Sequence, residues 1–283
     1  MNKPYNYKKV RTLQFPSLLL VMLLIISGCE TDDVQTVATF TNLIMADEFN
    51  TDGTPDRSIW TYDIGRGPNG DGWGNQELQY YTNRTDNVKV DNGYLLITAK
   101  EEAFEGASYT SARLKTQGLF EQQYGRFEAR IRLPYGKGLW PAFWLLGNDC
   151  DQNIWPQCGE IDIMEYLGDS PTVTFGSVHG PGYSAGEAET KEYELENDRF
   201  DTGFHIFGIE WGPDYINYYV DGDLYNQITQ NDVPGEWVFD HPFYIILNVA
   251  VGGTFPGSPN EDTTFPQTML VDYVRVYENN ITD

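Results

Sequence analysis

Basic residues are scarce in this chain of 283 residues, which has 18 lysines and arginines against 42 aspartates and glutamates. Its formal net charge is −24 at pH 7. A surface that binds nucleic acid needs a basic footprint for the phosphates. The composition therefore argues against nucleic acid as a partner and, less strongly, against sulfated polysaccharides.

No apolar run is long enough to cross a membrane as a helix. The run at residues 18–26 is short and follows four basic residues between Lys3 and Arg11. A short apolar run behind a basic region is typical of a secretory signal. We expect residues 1–28 to be removed, which takes away four basic and no acidic residues and leaves 14 against 42, a net charge of −28.

Cysteine occurs only three times, and the three copies predict two different roles. Ser27-Gly28-Cys29 resembles a bacterial lipobox, which implies lipidation of Cys29 and a membrane-anchored lipoprotein at the outer membrane or cell surface. An ordinary signal peptide with a chance cysteine is the alternative. In an exported protein, Cys150 and Cys158 favour a disulfide, with two free thiols as the alternative. Without an adjacent histidine they make a poor zinc site.

Helical periodicity is also absent, and short segments rich in β-branched and aromatic residues indicate strands instead. These segments are residues 94–99, 124–133, 204–211, 215–220, 224–228, 243–249 and 269–277. Asp221-Gly222 predicts a tight hairpin turn. Residues 29–38 are typical of a polar tether. Residues 39–283 suit one all-β domain, a sandwich of two antiparallel sheets.

Three acids interrupt an apolar segment, Gly159-Glu160-Ile161-Asp162-Ile163-Met164-Glu165-Tyr166. Strand side chains alternate between faces, so Glu160 and Asp162 share one face. A β-bulge after Asp162 would return Glu165 to that same face. Acids held close together repel, so at least one keeps its proton near neutral pH. A protonated acid beside an ionised one is what glycosidic bond cleavage requires.

The alternative is a solvated strand face, since a bare pattern of this kind is common. Trp140, Trp144 and Trp155 upstream and His179 downstream favour the chemical interpretation. Broad aromatic faces beside paired acids suit stacking on sugar rings, although they also suit other flat ligands.

Four motifs in order resemble glycoside hydrolase family 16, in particular its laminarinase-like endo-β-1,3-glucanases. They are residues 125–130 (GRFEAR), 138–144 (GLWPAFW), 159–165 (GEIDIME) and 178–180 (VHG). The resemblance extends from about Asp47 to Tyr277. It implies a β-jelly roll with a substrate cleft across the concave sheet, and we expect a monomer that acts on β-glucan without a catalytic cofactor.

The resemblance also implies the roles of the acids. Glu160 matches the nucleophile, Glu165 the general acid/base and Asp162 the residue that assists between them. In a retaining glycosidase the two main carboxyl groups lie ~5–5.5 Å apart. Four strand steps of ~3.3 Å span about 13 Å along the backbone, so strand curvature and converging side chains must close the difference.

Other positions match substrate-binding residues of the family. Trp140 and Trp144 match cleft tryptophans, with burial in the core as the alternative. For Trp155, a position in the cleft and burial in the core both stay open. His179 matches a cleft histidine near the acid/base, with an ordinary strand histidine as the alternative. Asn75, Glu77 and Arg113 match residues that bind sugar hydroxyls, with a loop-pinning network as the alternative.

The resemblance further implies a structural calcium ion on the convex side. Asp272 would provide a carboxylate, with backbone carbonyls from Glu48 and Gly93, and an all-oxygen ligand set suits calcium. An acid at a strand edge is the alternative for Asp272.

Two alternatives to β-1,3-glucan cleavage remain open. One is an endo-hydrolase of another β-glycan, either mixed-linkage β-1,3-1,4-glucan or a red-algal galactan. The other is a glycan-binding surface lipoprotein without catalysis, but the three intact acids favour an enzyme.

Overall fold

The computed structural model describes residues 40–279, which form two β-sheets and two short helical turns, Gly72–Gln76 and Ala185–Glu187. One sheet has ten strands: in spatial order these are β15 (Asp223–Thr229), β14 (Tyr215–Val220), β13 (His205–Trp211), β8 (Gly125–Arg132), β17 (Gln267–Glu278), β5 (Tyr94–Phe104), β6 (Ala107–Ser111) and β3 (Gln79–Tyr81), with β1 (Asn42–Asp47) beside β17 and β4 (Val88–Asp91) beside β5. The other sheet has seven strands: β12 (Glu189–Glu194), β11 (Val173–His179), β10 (Glu160–Tyr166), β9 (Leu139–Gly147), β16 (Phe243–Val251), β7 (Arg113–Lys115) and β2 (Thr61–Asp63).

This architecture confirms the predicted jelly-roll-like sandwich of two antiparallel sheets. The strand predicted at residues 215–220 matches β14 at both ends, and the other predicted strands lie in β5, β8, β13, β15, β16 and β17. One pairing departs from the prediction, because β3 lies parallel to β6.

The predicted hairpin turn at Asp221-Gly222 joins β14 to β15. Both residues have positive φ, 52° at Asp221 and 91° at Gly222. A two-residue turn of this type needs positive φ at both positions, and its twist matches that of the flanking strands. The dipeptide therefore sets the register of this strand pair.

One hydrophobic core lies between the sheets. Trp211 on β13 is fully buried and contacts Phe127 of β8 and Phe243 of β16, with ring centroids 6.1 Å and 5.2 Å away. All nine residues of β16 are buried. A strand covered on both faces holds its neighbours β9 and β7 in fixed positions, and these strands carry much of the site described below.

Residues 1–28, the tether at 29–38 and Cys29 lie outside the described residues, so the predicted signal and lipid anchor stay predictions. Between residues 40 and 279, no helix is long and apolar enough to cross a membrane.

Candidate active site

The three acids of β10 lie on one face of the seven-stranded sheet, which we call the acid face. The pairing of β10 shifts register between Asp162 and Glu165 against β11, and between Asp162 and Met164 against β9. This shift is the predicted β-bulge. Ile163 and Met164 are both buried in the core, whereas Glu160 and Glu165 are partly exposed. The extra residue therefore keeps the apolar side chains in the core and returns Glu165 to the acid face.

Each glutamate accepts a hydrogen bond from a different indole. Trp140 Nε1 donates to Glu165 Oε1 at 3.0 Å, and Trp155 Nε1 donates to Glu160 Oε2 at 2.9 Å. Trp140 belongs to β9, while Trp155 lies in the loop before β10. Both carboxyl groups therefore have a fixed orientation, supplied by different elements of the fold.

His179 completes the cluster from β11, where it pairs directly with Glu160. Its Nε2 atom lies 3.0 Å from Asp162 Oδ2 and 3.8 Å from Glu160 Oε1. Its other ring nitrogen, Nδ1, accepts the backbone N–H of Ala185 at 3.0 Å. The observed arrangement thus corresponds to an imidazole that carries its proton on Nε2, toward the acids.

Burial changes the proton affinities of this cluster. It raises the pKa of Glu160 to about 8, and the negative charge of Asp162 adds to this effect. Burial and Asp162 also raise the pKa of Glu165 well above its usual range. Burial opposes a charge on His179, but the neighbouring carboxylates outweigh it and raise the pKa of His179 to about 9. Charging His179 requires the loss of its Ala185 bond, because Nδ1 would then carry a proton.

The two glutamates lie in different electrostatic environments. Burial and the neighbouring carboxylates favour the protonated form of Glu165, which suits a group that must protonate a leaving oxygen. A positive charge on His179 and an indole N–H each favour the ionised form of both glutamates, and Arg113 acts on Glu160 in addition. The additional positive charge of Arg113 agrees with the predicted role of Glu160 as the nucleophile.

A row of side chains crosses the acid face away from Glu165. Strand register places Glu165 beside Ala142, Ala142 beside Asn248, and Asn248 beside Arg113. Ala142 is small and lies between Trp140 and Trp144 on β9. A small residue therefore lies next to the acid, between two indoles.

Trp140 and Trp144 are both partly exposed on the acid face, so the alternative of full burial in the core is wrong for them. Trp144 Nε1 donates to Asn248 Oδ1 at 2.8 Å, which fixes its ring. The guanidinium of Arg113 lies 4.7 Å from the ring centroid of Trp144 and 3.0 Å from the Asp63 carboxylate. Sugar binding by these residues stays a prediction.

Glu77 and Asn75 belong to a network that pins the preceding loop. Glu77 is buried, accepts hydrogen bonds from Gln79 and Tyr81 through Oε2, and accepts one from Asn75 through Oε1. Burial raises the pKa of Glu77. With both oxygens engaged, Glu77 fits the loop-pinning alternative, and direct contact between Glu77 and a sugar stays a prediction.

Three residues of the acid face were not predicted. The Arg113 guanidinium lies 4.8 Å from the ring centroid of Trp73 and 4.7 Å from that of Trp144. Phe255 is 42% exposed and lies 5.4 Å from Trp140 between ring centroids. Asn248 could have been found, because it is the one amide in an otherwise apolar and aromatic strand. Phe255 lies in a loop and Trp73 in the short helical turn Gly72–Gln76, and neither segment has a periodicity that indicates which way a side chain points.

The predicted disulfide is present between Cys150 and Cys158, with the Cα atoms 5.0 Å apart. It closes the loop that carries Trp155. The alternative of two free thiols is therefore wrong for this structure.

The predicted calcium ligands do not contact one another through side chains. Asp272 Oδ2 lies 2.6 Å from Arg130 Nη1, and Glu48 accepts two hydrogen bonds from Arg275. Gly93 lies in the turn between β4 and β5 with φ 81°. One Asp272 oxygen is left for a cation, so the set fits calcium in part. In the described residues, one cluster of acids and histidine has metal-ligand spacing, Glu160, Asp162 and His179, and it coincides with the catalytic group.

A β-sandwich with two differently held glutamates, an intervening aspartate and exposed indoles on one sheet defines a glycan-cleaving enzyme. Residues 75–275 match the family model of glycosyl hydrolases family 16. The chain belongs to this family.

Individual relatives agree with this assignment. The chain is 42% identical over 268 residues to a β-glucanase from Rhodothermus marinus, a match that covers 90% of this chain and 92% of the relative. It is 38% identical to a glucan endo-1,3-β-glucosidase from Cryptopygus antarcticus, over 83% of this chain and 91% of the relative. The catalytic domain of an endo-1,3-β-glucanase (laminarinase) from Thermotoga petrophila RKU-1 superposes with a TM-score of 0.82 at 47% identity, covering 86% of this chain and all of that domain.

Proposed function

We propose that this chain is a retaining endo-β-1,3-glucanase that hydrolyses internal bonds of laminarin-type glucans. The observation that carries the proposal is the pair of glutamates on one sheet face, each oriented by its own indole donor. Relatives named as β-1,3-glucanases at about two-fifths identity support the substrate class.

Glu160 attacks the anomeric carbon while Glu165 protonates the departing oxygen. Glu165 then acts as the base that activates water, which hydrolyses the glycosyl-enzyme. Asp162 lies between the two glutamates along β10, and its Oδ2 atom lies 3.0 Å from His179 Nε2.

Stacking on Trp140 and Trp144 supports a neutral substrate. An indole face gains free energy from buried apolar area, about 25 cal/mol per Å², and needs no charge on the sugar. A sulfated polymer would approach a mature chain of net charge −28. Neutral β-1,3-glucan avoids this repulsion.

Digestion of laminarin tests the function directly. We expect a series of oligosaccharides early in the reaction, which indicates internal cleavage, and the β-anomer as the first product in proton NMR, which indicates retention. Release of glucose alone, or of the α-anomer first, would contradict the proposal. Binding of laminarin without any release of reducing sugar would instead support the non-catalytic alternative.

The lipid anchor completes the proposal for localisation. Cys29→Ser should release the protein from membranes or block its processing, while the activity of the soluble domain stays unchanged. Membrane association that is unaffected by this substitution would contradict a lipid on Cys29.

Calcium is proposed as a structural ion only, held by Asp272 with carbonyls of Glu48 and Gly93. Its removal by EDTA should lower Tm, and added calcium should restore it, without a change in the pH profile. A Tm that does not respond to either treatment would remove the ion from the proposal. No catalytic step depends on it.

A further inference from the structure

The two catalytic glutamates differ in what holds their indole donors. Trp140, which bonds Glu165, lies in β9 and pairs with Ala250 of the fully buried strand β16. Trp155, which bonds Glu160, lies in the loop at residues 148–159 and is 40% exposed. The indole that bonds the nucleophile Glu160 therefore lies in an exposed loop, whereas the indole that bonds the acid/base Glu165 lies in a strand.

Glu160 itself depends on this loop, because it is the first residue of β10. The residue before it, Gly159, has φ 72°, and a Cβ atom there would lie 2.9 Å from Phe243. Position 159 is thus restricted to glycine, and the backbone turns sharply from the loop into the strand. A movement of the loop would be transmitted directly to the nucleophile.

The loop has few contacts of its own with the core. Residues 151–155 are all exposed, and Ile154 is 78% exposed. Short turn hydrogen bonds connect Asn153 to Asp149 and Gln157 to Ile154. Apolar burial therefore contributes little to holding Trp155 in place.

Two ties fix the ends of the loop. The Cys150–Cys158 disulfide joins a fully buried cysteine next to β10 to the other arm of the loop. The second tie is Asn148, at the base of that second arm, which donates to Glu121 Oε2 at 2.8 Å through its side chain and to the Pro242 carbonyl at 3.0 Å through its backbone N–H. Of these, the disulfide is the covalent one, and it spans the segment that contains Trp155.

We propose that Trp155 is a positioning residue for the nucleophile Glu160, and that the Cys150–Cys158 disulfide holds its indole N–H against the carboxylate. The inference rests on the assignment of Glu160 as the nucleophile. Reduction by a dithiol breaks the S–S bond, passes two electrons and two protons to the cysteine sulfurs, and converts the dithiol to its own disulfide. The loop is then open, and Trp155 loses its fixed position.

The test compares Trp155→Phe, the pair Cys150→Ser/Cys158→Ser, and all three substitutions together. Trp155→Phe keeps an aromatic ring and removes the N–H. Because a hydrogen bond to a charged group is a strong one, we expect kcat on laminarin oligosaccharides to fall about ten-fold in Trp155→Phe and in the cysteine variant. The triple variant should fall no further than Trp155→Phe, since both changes remove the same bond. Ile154→Ala, in the same exposed loop, should match the parent.

The pH profile separates positioning from a general loss of structure. The Trp155 N–H favours the ionised form of Glu160, so its loss raises the pKa of Glu160. The acidic limb of kcat/KM should then move to higher pH, by about one unit or less, in Trp155→Phe and in the cysteine variant alike. A lower kcat with an unmoved limb in Trp155→Phe would overturn the positioning role.

Two further outcomes would overturn the inference. One is a cysteine variant with parental kcat and an unchanged pH profile. The other is a triple variant whose loss is the product of the two separate losses. If the cysteine variant does not fold, the parent enzyme is treated with dithiothreitol and reoxidised with glutathione disulfide. The activity should fall and return in the parent and stay constant in Trp155→Phe. Hydrolysis of laminarin with retention by the unsubstituted enzyme tests the proposed function separately, whatever the result for Trp155.

Discussion

At the scale of single residues, the chemistry depends on proton affinity, and the environment of each acid sets it. Glu160 and Glu165 share a strand, a face and a residue type, yet they have different donors and different neighbours. The buried Oδ2 atom of Asp162 lacks a well-aligned hydrogen-bond donor, so its negative charge acts on both glutamates. Two acids with separate roles result from one short segment.

A pH prediction follows from the raised pKa values of Glu160 and Glu165. Glu160 must be ionised to attack, so activity is lost as the pH falls through its pKa. Glu165 must be protonated, so activity is lost as the pH rises through its pKa. Both values lie above 4.5, the ordinary value for glutamate. We expect both limbs of kcat/KM, measured from pH 4 to 10, to lie well above pH 4.5. An acidic limb near pH 4.5 would show that the pKa of Glu160 is not raised in this way.

At the scale of elements, the bulge in β10 is the feature on which the site depends. A strictly alternating strand would place Met164 among the acids and Glu165 in the core. The bulge instead buries Ile163 and Met164, two successive residues, in the same core.

This double burial predicts a stability result. Ile163→Ala and Met164→Ala should each lower the free energy of unfolding by about 2–5 kcal/mol, the usual cost of such truncations in a core. Urea unfolding followed by tryptophan fluorescence measures both, and Leu224→Ala, at a 54% exposed position, is the control that should have little effect. A Met164→Ala variant of parental stability would mean that its side chain does not lie in the core.

Some elements of the fold and of the site were predictable from the sequence, and others were not. The bulge was predictable because two apolar residues interrupt the alternation of acids, and the β14–β15 hairpin because Asp-Gly favours its turn. The parallel pairing of β3 with β6 was not, since both strands are short and β4 and β5 lie between them in the chain. Trp73 and Phe255 were missed for a related reason. The segments that carry Trp73 and Phe255 reach the acid face only through tertiary contacts, which no local sequence pattern indicates.

At the scale of the whole molecule, the negative net charge favours neutral polysaccharides over sulfated ones as substrates. The predicted mature chain has 14 basic residues, and several of them are already paired with acids. Arg113 and Lys115, near the acids on the same sheet, both contact Asp63. The described residues therefore offer little free positive charge near the acid face to a sulfated chain.

The corresponding prediction is faster hydrolysis of laminarin than of carrageenan. The reason is repulsion by a strongly acidic surface, which salt screens over ~8 Å at physiological ionic strength. Initial rates on laminarin, lichenan, agarose and carrageenan at equal mass concentration provide the comparison, repeated at low and high salt. The laminarin rate should change little with salt. Preferential hydrolysis of carrageenan would contradict the proposed substrate.

The central claim is that Glu160 is the nucleophile and Glu165 the acid/base, and one measurement addresses it most directly. Glu165→Ala and Glu160→Ala are each given azide and an activated β-laminaribiosyl substrate whose leaving group needs no proton. With Glu165 removed, azide should attack the glycosyl-enzyme and form the β-glycosyl azide. With Glu160 removed, azide should occupy the space of the nucleophile and form the α-glycosyl azide. Proton NMR of the two products, β from Glu165→Ala and α from Glu160→Ala, would agree with the account, and the reverse assignment would contradict it.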